Sequence, residues 1–587
     1  MNETAPVNDE AIGECASRDA GPASNSDHEL ARLCWSAAAI LLGFLLFAQA
    51  GVLLCFCAGW RVSPLVAPAA VLFSLAAGDW LARREGLRGP LRIAPPATAL
   101  AVLGVSLILS AAFFDMSWDG QWYHQTAIYQ MSHGWNPLRD PMRTFEPSLQ
   151  DYVRHYAKGA WYDALALFQT TGHIEWAKPA PWISLAAMFL AVAAALLEFG
   201  MGRRVAIPIA ALVSLNPVVV CELATYQVDG LWISFLACYV AAAAVSFHRP
   251  GGVPLPNGVA VASAILCVNS KFSALVFLCF FCAAGGIYLL IRRRRMLLRW
   301  AGLQLAVILF AAVVFGFNPY VTNTIHRGHP FYPWLGTAAF PSYADRGQDP
   351  NERWETPANM VGRNRFVRFS YGLFGRPGAQ PYYPGKDARL MWPFDVRWSD
   401  FEMFYFLDVR IAGFGPLFSG AFLIALVVMA AALIRPGLPR EIVVLLAAAV
   451  AVSALSGLHM WWARYGPQLW WLPIIAVIAG LSVPGWRAVR WTAWGLAALL
   501  LIDAVLVGFV HLRWEARSTR TTSEQMAFLR QKGEVEVNIP YFHEPVGERL
   551  RAAGVAFRES RRLHCAHPME LMSVPKGYPG QVRACAP

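Results

Sequence analysis

The chain carries too little charge for a water-soluble protein of its length. Only 15% of its 587 residues are charged, against roughly 25% in soluble globular proteins. Hydrophobic residues make up 56% of the chain, and its mean hydropathy is +0.40. So few ionic side chains cannot cover a water-facing surface of this size, which excludes an ordinary soluble domain.

Motifs of several other protein classes are missing as well. The sequence contains no DxD or HExxH motif, no internal repeat and no basic stripe interleaved with aromatic residues. We therefore expect no nucleic-acid partner, no cofactor and no tightly bound metal, and leave weak binding of a divalent cation open. The eleven cysteines lie mostly inside apolar runs, so Cys565 and Cys585 in the polar tail are the candidate disulfide pair.

What the chain does contain is a series of apolar runs that reach or approach the roughly 20 residues needed to cross a bilayer. The thirteen runs are 33–57, 63–82, 96–114, 180–200, 203–221, 228–247, 257–270, 271–291, 300–318, 411–434, 441–458, 467–483 and 490–511. The run at 257–270 is short for a full span and fits a broken or tilted helix. The sequence therefore predicts an all-α polytopic membrane protein with about 13 transmembrane helices.

The charges of the loops predict the orientation of these helices. Every second loop is short and basic, and such loops are cytoplasmic by the positive-inside rule. Their arginines are Arg83, Arg84, Arg88, Arg92, Arg203, Arg204, Arg249, Arg292 to Arg295, Arg299, Arg435, Arg440, Arg487 and Arg490. The other loops include two long ones, 115–179 and 319–410, and the tail from residue 512. The amino terminus is therefore expected inside, and the long loops and the carboxyl terminus outside.

Three parts of the chain differ in composition. Residues 1–32 are polar and lack a basic n-region, which predicts a disordered cytoplasmic tail and no cleavable signal peptide. Residues 33–511 form the transmembrane module. Residues 512–587 combine a helical pattern at 522–532 with a strand-like segment at 535–539, which predicts a small α+β appendage on the outer face.

The first long loop begins with a dense group of carboxylates and aromatic residues. Asp115 and Asp119 stand four residues apart just beyond the third run, and on a helix they share a face with Tyr123. A carboxylate at a half-dry interface holds its proton more tightly, which suits a general base near neutral pH. The alternative is an interfacial aromatic belt in which the aspartates cap a juxtamembrane helix.

The pattern Trp-Asp-x-x-x-Tyr-His at 118–124, followed by Gly-Trp-Asn-Pro at 134–137, resembles the first outer loop of the GT-C glycosyltransferases. That family includes protein O-mannosyltransferases and lipid A aminoarabinose transferases, and its members use polyprenyl-phosphate sugars. The resemblance implies a GT-C-like fold and an acidic base just beyond an early span, for which Asp119 matches best and Asp115 second. Two additional spans precede this loop, whereas the family often places its acid after the first span.

Other residues near the ends of apolar runs are candidates for substrate contacts. Trp122, Tyr123 and His124 are expected to line the sugar site, since aromatic faces stack on sugars. Asp229 opens the sixth run, where an aspartate either caps the helix or faces a polar cavity beside the active site. Lys271 interrupts a long apolar stretch and is expected to bind the donor phosphate, with snorkelling to the interface as the alternative.

The later loops contribute further phosphate-binding candidates. Arg327 and His329 lie in a Gly-x-Pro-Phe-Tyr-Pro turn similar to turns that follow a span in bacterial GT-C proteins, and both side chains can donate to phosphate oxygens. Arg464 lies among aromatic residues in a late loop, where the family often has an arginine followed by an aromatic residue and a proline. The alternatives are a rigid turn for the first site and a structural aromatic belt for the second.

Together these features predict a glycosyltransferase in the inner membrane of a bacterium, with its active site at the periplasmic face. Asp119 takes the proton from a hydroxyl of a glycan, lipid or protein acceptor, while Lys271, Arg327 and Arg464 stabilise the departing polyprenyl phosphate. Membrane lipid is the other expected partner. A polysaccharide polymerase or O-antigen ligase is the close alternative. A transporter, disfavoured by the scarcity of ions inside the spans, and a non-catalytic scaffold are the remaining ones.

Overall fold

The structure, a computed structural model, describes residues 25–142, 147–248, 254–349, 352, 355–378, 387–457, 459–573 and 580–585. Residues 1–24 of the predicted disordered tail and Arg249 of the basic loops lie outside the described residues. Residues 25–32, predicted to belong to that tail, are helical instead. A helix can begin there because Asp27 stands in its first turn and no proline occurs between residues 25 and 59.

Nearly every apolar run of the first half of the chain forms a helix of similar length. The helices are α1 (Asn25–Ala58), α2 (Val66–Arg84), α3 (Ala94–Ala112), α4 (Thr126–Ser132), α5 (Pro147–His155), α6 (Gly159–Thr171), α7 (Ala180–Glu198), α8 (Arg203–Ser214), α9 (Pro217–Glu222), α10 (Asp229–His248), α11 (Pro254–Val268), α12 (Phe272–Arg292) and α13 (Arg294–Phe310). Helix α1 packs against α2 and α7, and both α7 and α11 pack against α10. The bundle core therefore lies around α1, α7 and α10.

The second half of the chain adds a smaller group of packed helices. Its helices are α14 (Thr322–Arg327), α15 (Arg365–Phe374), α16 (Trp398–Glu402), α17 (Phe418–Ile434), α18 (Arg440–Ser456), α19 (Trp471–Leu481), α20 (Arg487–Arg530) and α21 (His543–Ala552). Helices α17, α19 and α20 pack on one another, and α19 also contacts α8 of the first group. Short 3₁₀ and π turns connect the longer helices in both halves of the chain.

Eight helical segments of the described chain are long and apolar enough to cross a membrane. They are Asn25–Ala58, Val66–Arg84, Gly89–Ala112, Glu175–Glu198, Asp229–His248, Phe272–Arg292, Arg294–Phe315 and Arg487–Arg530. The other predicted runs also contain helices, but these are shorter, among them Pro254–Val268 and Phe418–Ile434. A multi-pass membrane protein is thereby supported, and the total of about 13 spans stays a prediction.

The surface of α13 shows why these helices need a lipid environment. Its leucines point away from the bundle, with Leu298 at 85% and Leu305 at 59% exposure. A row of exposed apolar side chains of this kind is stable against lipid tails and unstable against water.

The carboxyl-terminal part is the predicted small α+β unit. Its four strands, β1 (Val535–Asn538), β2 (Phe557–Glu559), β3 (Met569–Glu570) and β4 (Arg583–Cys585), form one sheet in the order β2-β1-β4-β3. Strand β1 runs parallel to β2 and antiparallel to β4. Cys565 and Cys585 form a disulfide bond across this unit, with their Cα atoms 5.9 Å apart.

The last membrane helix continues into this unit without a break. The sequence predicts a span at 490–511 and a separate helix at 522–532, but α20 runs as one helix from Arg487 to Arg530. The reason is that no glycine or proline occurs between residues 509 and 532, and the helix ends just before Gly533, whose φ is +76°. The predicted domain boundary at residue 512 therefore falls inside a continuous helix.

Candidate active site

Arg464 lies at the centre of a group of charged side chains drawn from distant parts of the chain. Its Nη2 donates to Asp119 at 2.7 Å, its Nε to Asp229 at 2.9 Å and its Nη1 to Asp408 at 2.9 Å. Lys271 joins the group, with its Nζ 2.6 Å from the other Asp229 oxygen. We call these five residues the Arg464 cluster. Four of them, all except Asp408, are site residues predicted from the sequence.

Four members of the cluster, all except Asp408, lie at the start of a helix or shortly before one. Asp119 directly precedes the π-helical turn Gly120–Gln125, and Asp229 is the first residue of α10. Lys271 is the residue before α12, and Arg464 lies in a 3₁₀ turn shortly before α19. The ends of these helices therefore meet at one side of the bundle, the side on which the two long loops also lie.

The members of the cluster differ in their access to solvent. The side chain of Asp119 is 23% exposed, against 8% for Asp408 and 1% for Asp229. Lys271 is 13% exposed and Arg464 11%. The most accessible member of the cluster is thus the Asp119 carboxylate, and its face also includes small exposed parts of Lys271 and Arg464. The two buried aspartates lie behind that face and hold the cations in place.

Three carboxylates face two cations in the cluster, so its formal charge is −1 when all its members are ionised. Burial raises the pKa of Asp408 to about 6, against the opposing charge of Arg464. Although burial alone would lower it, the three carboxylates raise the pKa of Arg464, which keeps the guanidinium charged. Asp408 is therefore the member of this loop region whose charge changes in mildly acidic solution.

Aromatic side chains surround the two cations. Lys271 Nζ lies 4.8 Å from the centre of the Tyr465 ring, and the Arg464 guanidinium lies 5.4 Å from that of Trp462. The Trp462 indole donates to Asp408 at 2.6 Å, and the Trp232 indole donates to Asp229 at 3.2 Å. Cation–π contacts and indole donors fix the orientation of the charged groups.

The predicted sugar-binding aromatics form a continuous wall beside Asp119. The Tyr123 ring stacks on Tyr152 at 5.5 Å, and Trp122 lies 5.0 Å from Tyr152. The His124 ring lies 4.3 Å from that of Tyr123. Trp122, Tyr123 and His124 are thus brought together next to Asp119, and their contact with a sugar stays a prediction.

His124 is buried and neutral. Burial lowers its pKa to about 3, and its Nδ1 accepts a hydrogen bond of 2.6 Å from the indole of Trp161. A ring nitrogen that accepts such a bond carries no proton, which agrees with a neutral imidazole. The contacts of His124 therefore suit a residue that supports the aromatic wall.

Asp115, the second candidate for the base, lies in a different set of contacts. Its carboxylate is fully buried and accepts from the Ser117 amide at 2.8 Å, the Ser117 hydroxyl at 2.6 Å and the Tyr226 amide at 3.0 Å. A Cβ on Gly120 would overlap this carboxylate and the Ser117 hydroxyl, so the close approach requires glycine. Asp115 shapes the loop that carries Asp119.

Arg327 and His329 make their contacts within their own loop. The Arg327 guanidinium lies 5.5 Å from the ring of Tyr332 and 5.0 Å from that of Phe340. His329 Nδ1 accepts from the Phe331 amide at 3.1 Å. The structure does not bring either residue into contact with the Arg464 cluster, and their part in phosphate binding stays a prediction.

Two buried carboxylates near the cluster were not selected from the sequence. Asp408 lies in the stretch before α17, and Glu222 ends α9, where its Oε2 accepts from the Gly230 amide at 2.6 Å. The available signal was an acidic residue inside or beside an apolar segment, since such residues are rarely placed there without a partner. Over the described residues, no group of three or more His, Cys, Asp or Glu could hold a metal ion.

The chain was compared with known families, curated proteins and solved structures. No family model matches it, and no curated protein matches it. Two solved structures do, both of ArnT from Cupriavidus metallidurans. The first, in the apo state, has 15% identity and a TM-score of 0.36, and the match covers 79% of this chain and 84% of that one.

The second, bound to undecaprenyl phosphate, has 14% identity and a TM-score of 0.41, and covers 83% of this chain and 96% of that one. The names found agree with the resemblance drawn from the sequence, which included the aminoarabinose transferases. At this level of similarity, the function proposed for this chain depends on the geometry of its own site.

Proposed function

We propose that this chain is an integral-membrane glycosyltransferase, which moves a sugar from a polyprenyl-phosphate donor to an acceptor hydroxyl at the periplasmic face. The Arg464 cluster is the observation that carries the proposal. It combines a solvent-reachable carboxylate with two cations at one side of a bundle of membrane helices. A transfer that removes a proton and releases a lipid phosphate needs these groups.

The proposed reaction is a single displacement. Asp119 accepts the proton of the acceptor hydroxyl, and that oxygen forms a bond to the anomeric carbon of the sugar. The bond between the anomeric carbon and the phosphate oxygen breaks, and its electron pair leaves with the polyprenyl phosphate. Lys271 and Arg464 offset the negative charge that grows on this leaving group.

The three hydrogen bonds of Arg464 connect donor binding with the state of Asp119. In the described structure Arg464 Nη2 holds the Asp119 carboxylate at 2.7 Å. A phosphate group of the sugar donor that binds to Arg464 and Lys271 competes with Asp119 for the Arg464 Nη2 hydrogen bond. The Asp119 carboxylate is then free to take the proton of the acceptor hydroxyl. Asp229 and Asp408 retain the guanidinium through Nε and Nη1 during the exchange. The base is then freed only when a donor is present.

The sidedness of the loops supports a periplasmic site. The positive-inside rule assigns the basic loops to the cytoplasm, and Arg292 of one such loop pairs with Glu441 beside another at the end of α12 opposite Lys271. The two long loops and the carboxyl-terminal unit lie on the side of the cluster. We therefore place the amino terminus in the cytoplasm and the carboxyl terminus in the periplasm.

A donor panel tests the proposal. Purified protein would be reconstituted with a bacterial membrane extract and supplied with radiolabelled sugars carried on polyprenyl phosphate, on polyprenyl diphosphate or on nucleoside diphosphates. We expect transfer from a polyprenyl-phosphate sugar and none from a nucleotide sugar. Transfer of whole oligosaccharides from polyprenyl diphosphate would instead indicate a polymerase or O-antigen ligase. Transfer from none of the donors would contradict the proposal.

A further inference from the structure

The carboxyl-terminal unit touches the segment that carries Asp119 more closely than an appendage would. Its hydrophobic core includes Phe542, Leu550 and Val537, and two tryptophans of the first long loop, Trp118 and Trp122, pack against that core. Trp118 directly precedes Asp119. Its ring lies 4.9 Å from that of Phe542 and 5.3 Å from that of Tyr541. The segment that carries Asp119 therefore packs with one side against the carboxyl-terminal unit.

A buried arginine of the same unit holds the start of the segment. Arg549, on α21, donates from Nη2 to the backbone carbonyl of Asp115 at 3.3 Å and to Glu175 Oε1 at 2.9 Å. Its guanidinium also lies 4.8 Å from the ring of Phe114. Glu175 in turn accepts from the Asp115 amide at 3.2 Å. Both backbone polar groups of Asp115 are thus fixed by one ion pair.

Further hydrogen bonds join the two parts on either side of these contacts. Gln121 donates to the Ser573 carbonyl at 2.5 Å, and the Phe114 amide donates to the Thr519 hydroxyl at 2.9 Å. Inside the segment, the Asp115 carboxylate and Gly120 fix the turn that aims Asp119 at Arg464. Helix α21 therefore fixes the backbone of Asp115, and the turn that begins at Asp115 fixes the position of Asp119.

We propose that the carboxyl-terminal unit sets the position of Asp119, with Arg549 and Trp118 as positioning residues. Arg549 contacts Asp115, Glu175 and Phe114, and the Trp118 ring packs on Phe542 and Tyr541, so their effect on catalysis passes through the segment that carries Asp119. A misplacement of about 1 Å far from the chemistry costs on the order of a hundredfold in rate. The effect on transfer rests on the proposed function, whereas the effect on the order of residues 113–125 does not.

The experiment uses the full-length protein and four variants. Arg549→Gln and Trp118→Ala remove the two contacts, and Trp118→Phe keeps an aromatic ring against Phe542. Arg551→Gln is the matched control, because Arg551 lies on the same helix in a surface pair with Glu548. Each protein is measured for hydrogen–deuterium exchange of residues 113–125, for binding of undecaprenyl phosphate and for the kcat of sugar transfer.

We expect faster exchange in residues 113–125 of Arg549→Gln and Trp118→Ala, with exchange in α10 and α12 unchanged. Their kcat should fall about ten- to a hundredfold while the Kd for undecaprenyl phosphate stays within about twofold of wild type, and Trp118→Phe should recover most of the kcat. Unchanged exchange in both variants would overturn the proposal, as would a loss of kcat equal to that of Arg551→Gln. If wild type transfers no sugar, the proposed function fails and the exchange measurement still decides the positioning role.

Discussion

Replacing Arg464 by glutamine should destabilise the protein strongly, because this one guanidinium joins three carboxylates at 2.7 to 2.9 Å. Asp229 and Asp408 behind it are only 1% and 8% exposed, so water cannot solvate the charges left behind. Removing one partner of a buried ion pair typically costs about 3–5 kcal/mol. We expect a loss of unfolding free energy of that order, seen in a chain of this length as a melting temperature lowered by about 2–4 °C.

The assay is thermal unfolding in detergent, followed by tryptophan fluorescence. Because Asp408 is one of the charges left without a partner, adding Asp408→Asn to Arg464→Gln should recover about 1–3 kcal/mol, a coupling typical of residues in direct contact. Arg365→Gln, the control, removes an exposed arginine of the second long loop and should have the same melting temperature as wild type. Two results would refute the reasoning. One is a melting temperature of Arg464→Gln equal to that of wild type, and the other is a change in stability on Asp408→Asn that is the same in wild type and in Arg464→Gln.

Three further outcomes are expected. Lys271→Gln should weaken binding of undecaprenyl phosphate about tenfold, the value of one charge-assisted hydrogen bond, and Lys271→Arg should restore most of it in the same titration. Burial raises the pKa of Asp408 to about 6, so lowering the pH from 7.5 to 5.5 protonates it and removes one negative charge from the cluster. Binding of undecaprenyl phosphate should therefore strengthen over this pH range about threefold more in wild type than in Asp408→Asn. The Cys565–Cys585 bond spans 20 residues, so replacing both by alanine should destabilise the carboxyl-terminal unit by about 3 kcal/mol. Limited proteolysis would then cut this unit first, and equal cleavage rates would contradict the estimate.

Much of the candidate site could be predicted from sequence, on two grounds. An ionisable side chain at the end of an apolar run needs a partner or a polar cavity, whatever the fold, and this selects Asp229 and Lys271. Asp119 and Arg464 are selected with the help of the resemblance to the GT-C glycosyltransferases, and the structure brings all four into one cluster. It does not show that they meet, because their contacts join residues as far as 345 positions apart along the chain.

The features that sequence analysis missed or misjudged depend on tertiary packing. Asp408 lies in a loop without a recognisable spacing, and its role is visible only once Arg464 and Trp462 are placed beside it. Asp115 and Asp119 share one face of an ideal helix. In the folded loop a π-helical turn begins at Gly120, and Asp115 is turned toward Ser117 and Tyr226.

The carboxyl-terminal unit also combines features that local sequence predicts with contacts that depend on tertiary packing. Local composition predicts a small α+β unit, and the sheet and α21 confirm it. Its isolation as an appendage was an assumption drawn from position in the chain. The packing of Trp118 against Phe542 and the bonds of Arg549 could not be predicted from local patterns, since the bonds of Arg549 to Glu175 and Asp115 join residues 374 and 434 positions apart.

The central claim is that Asp119 acts as the base of the transfer, and one comparison tests it most directly. Wild type, Asp119→Asn and Asp140→Asn, which alters an exposed aspartate of the same loop, would be assayed side by side for sugar transfer and for binding of undecaprenyl phosphate. We predict that Asp119→Asn loses transfer by at least about a hundredfold and still binds the lipid phosphate, while Asp140→Asn matches wild type. Equal transfer by Asp119→Asn and wild type would contradict the account.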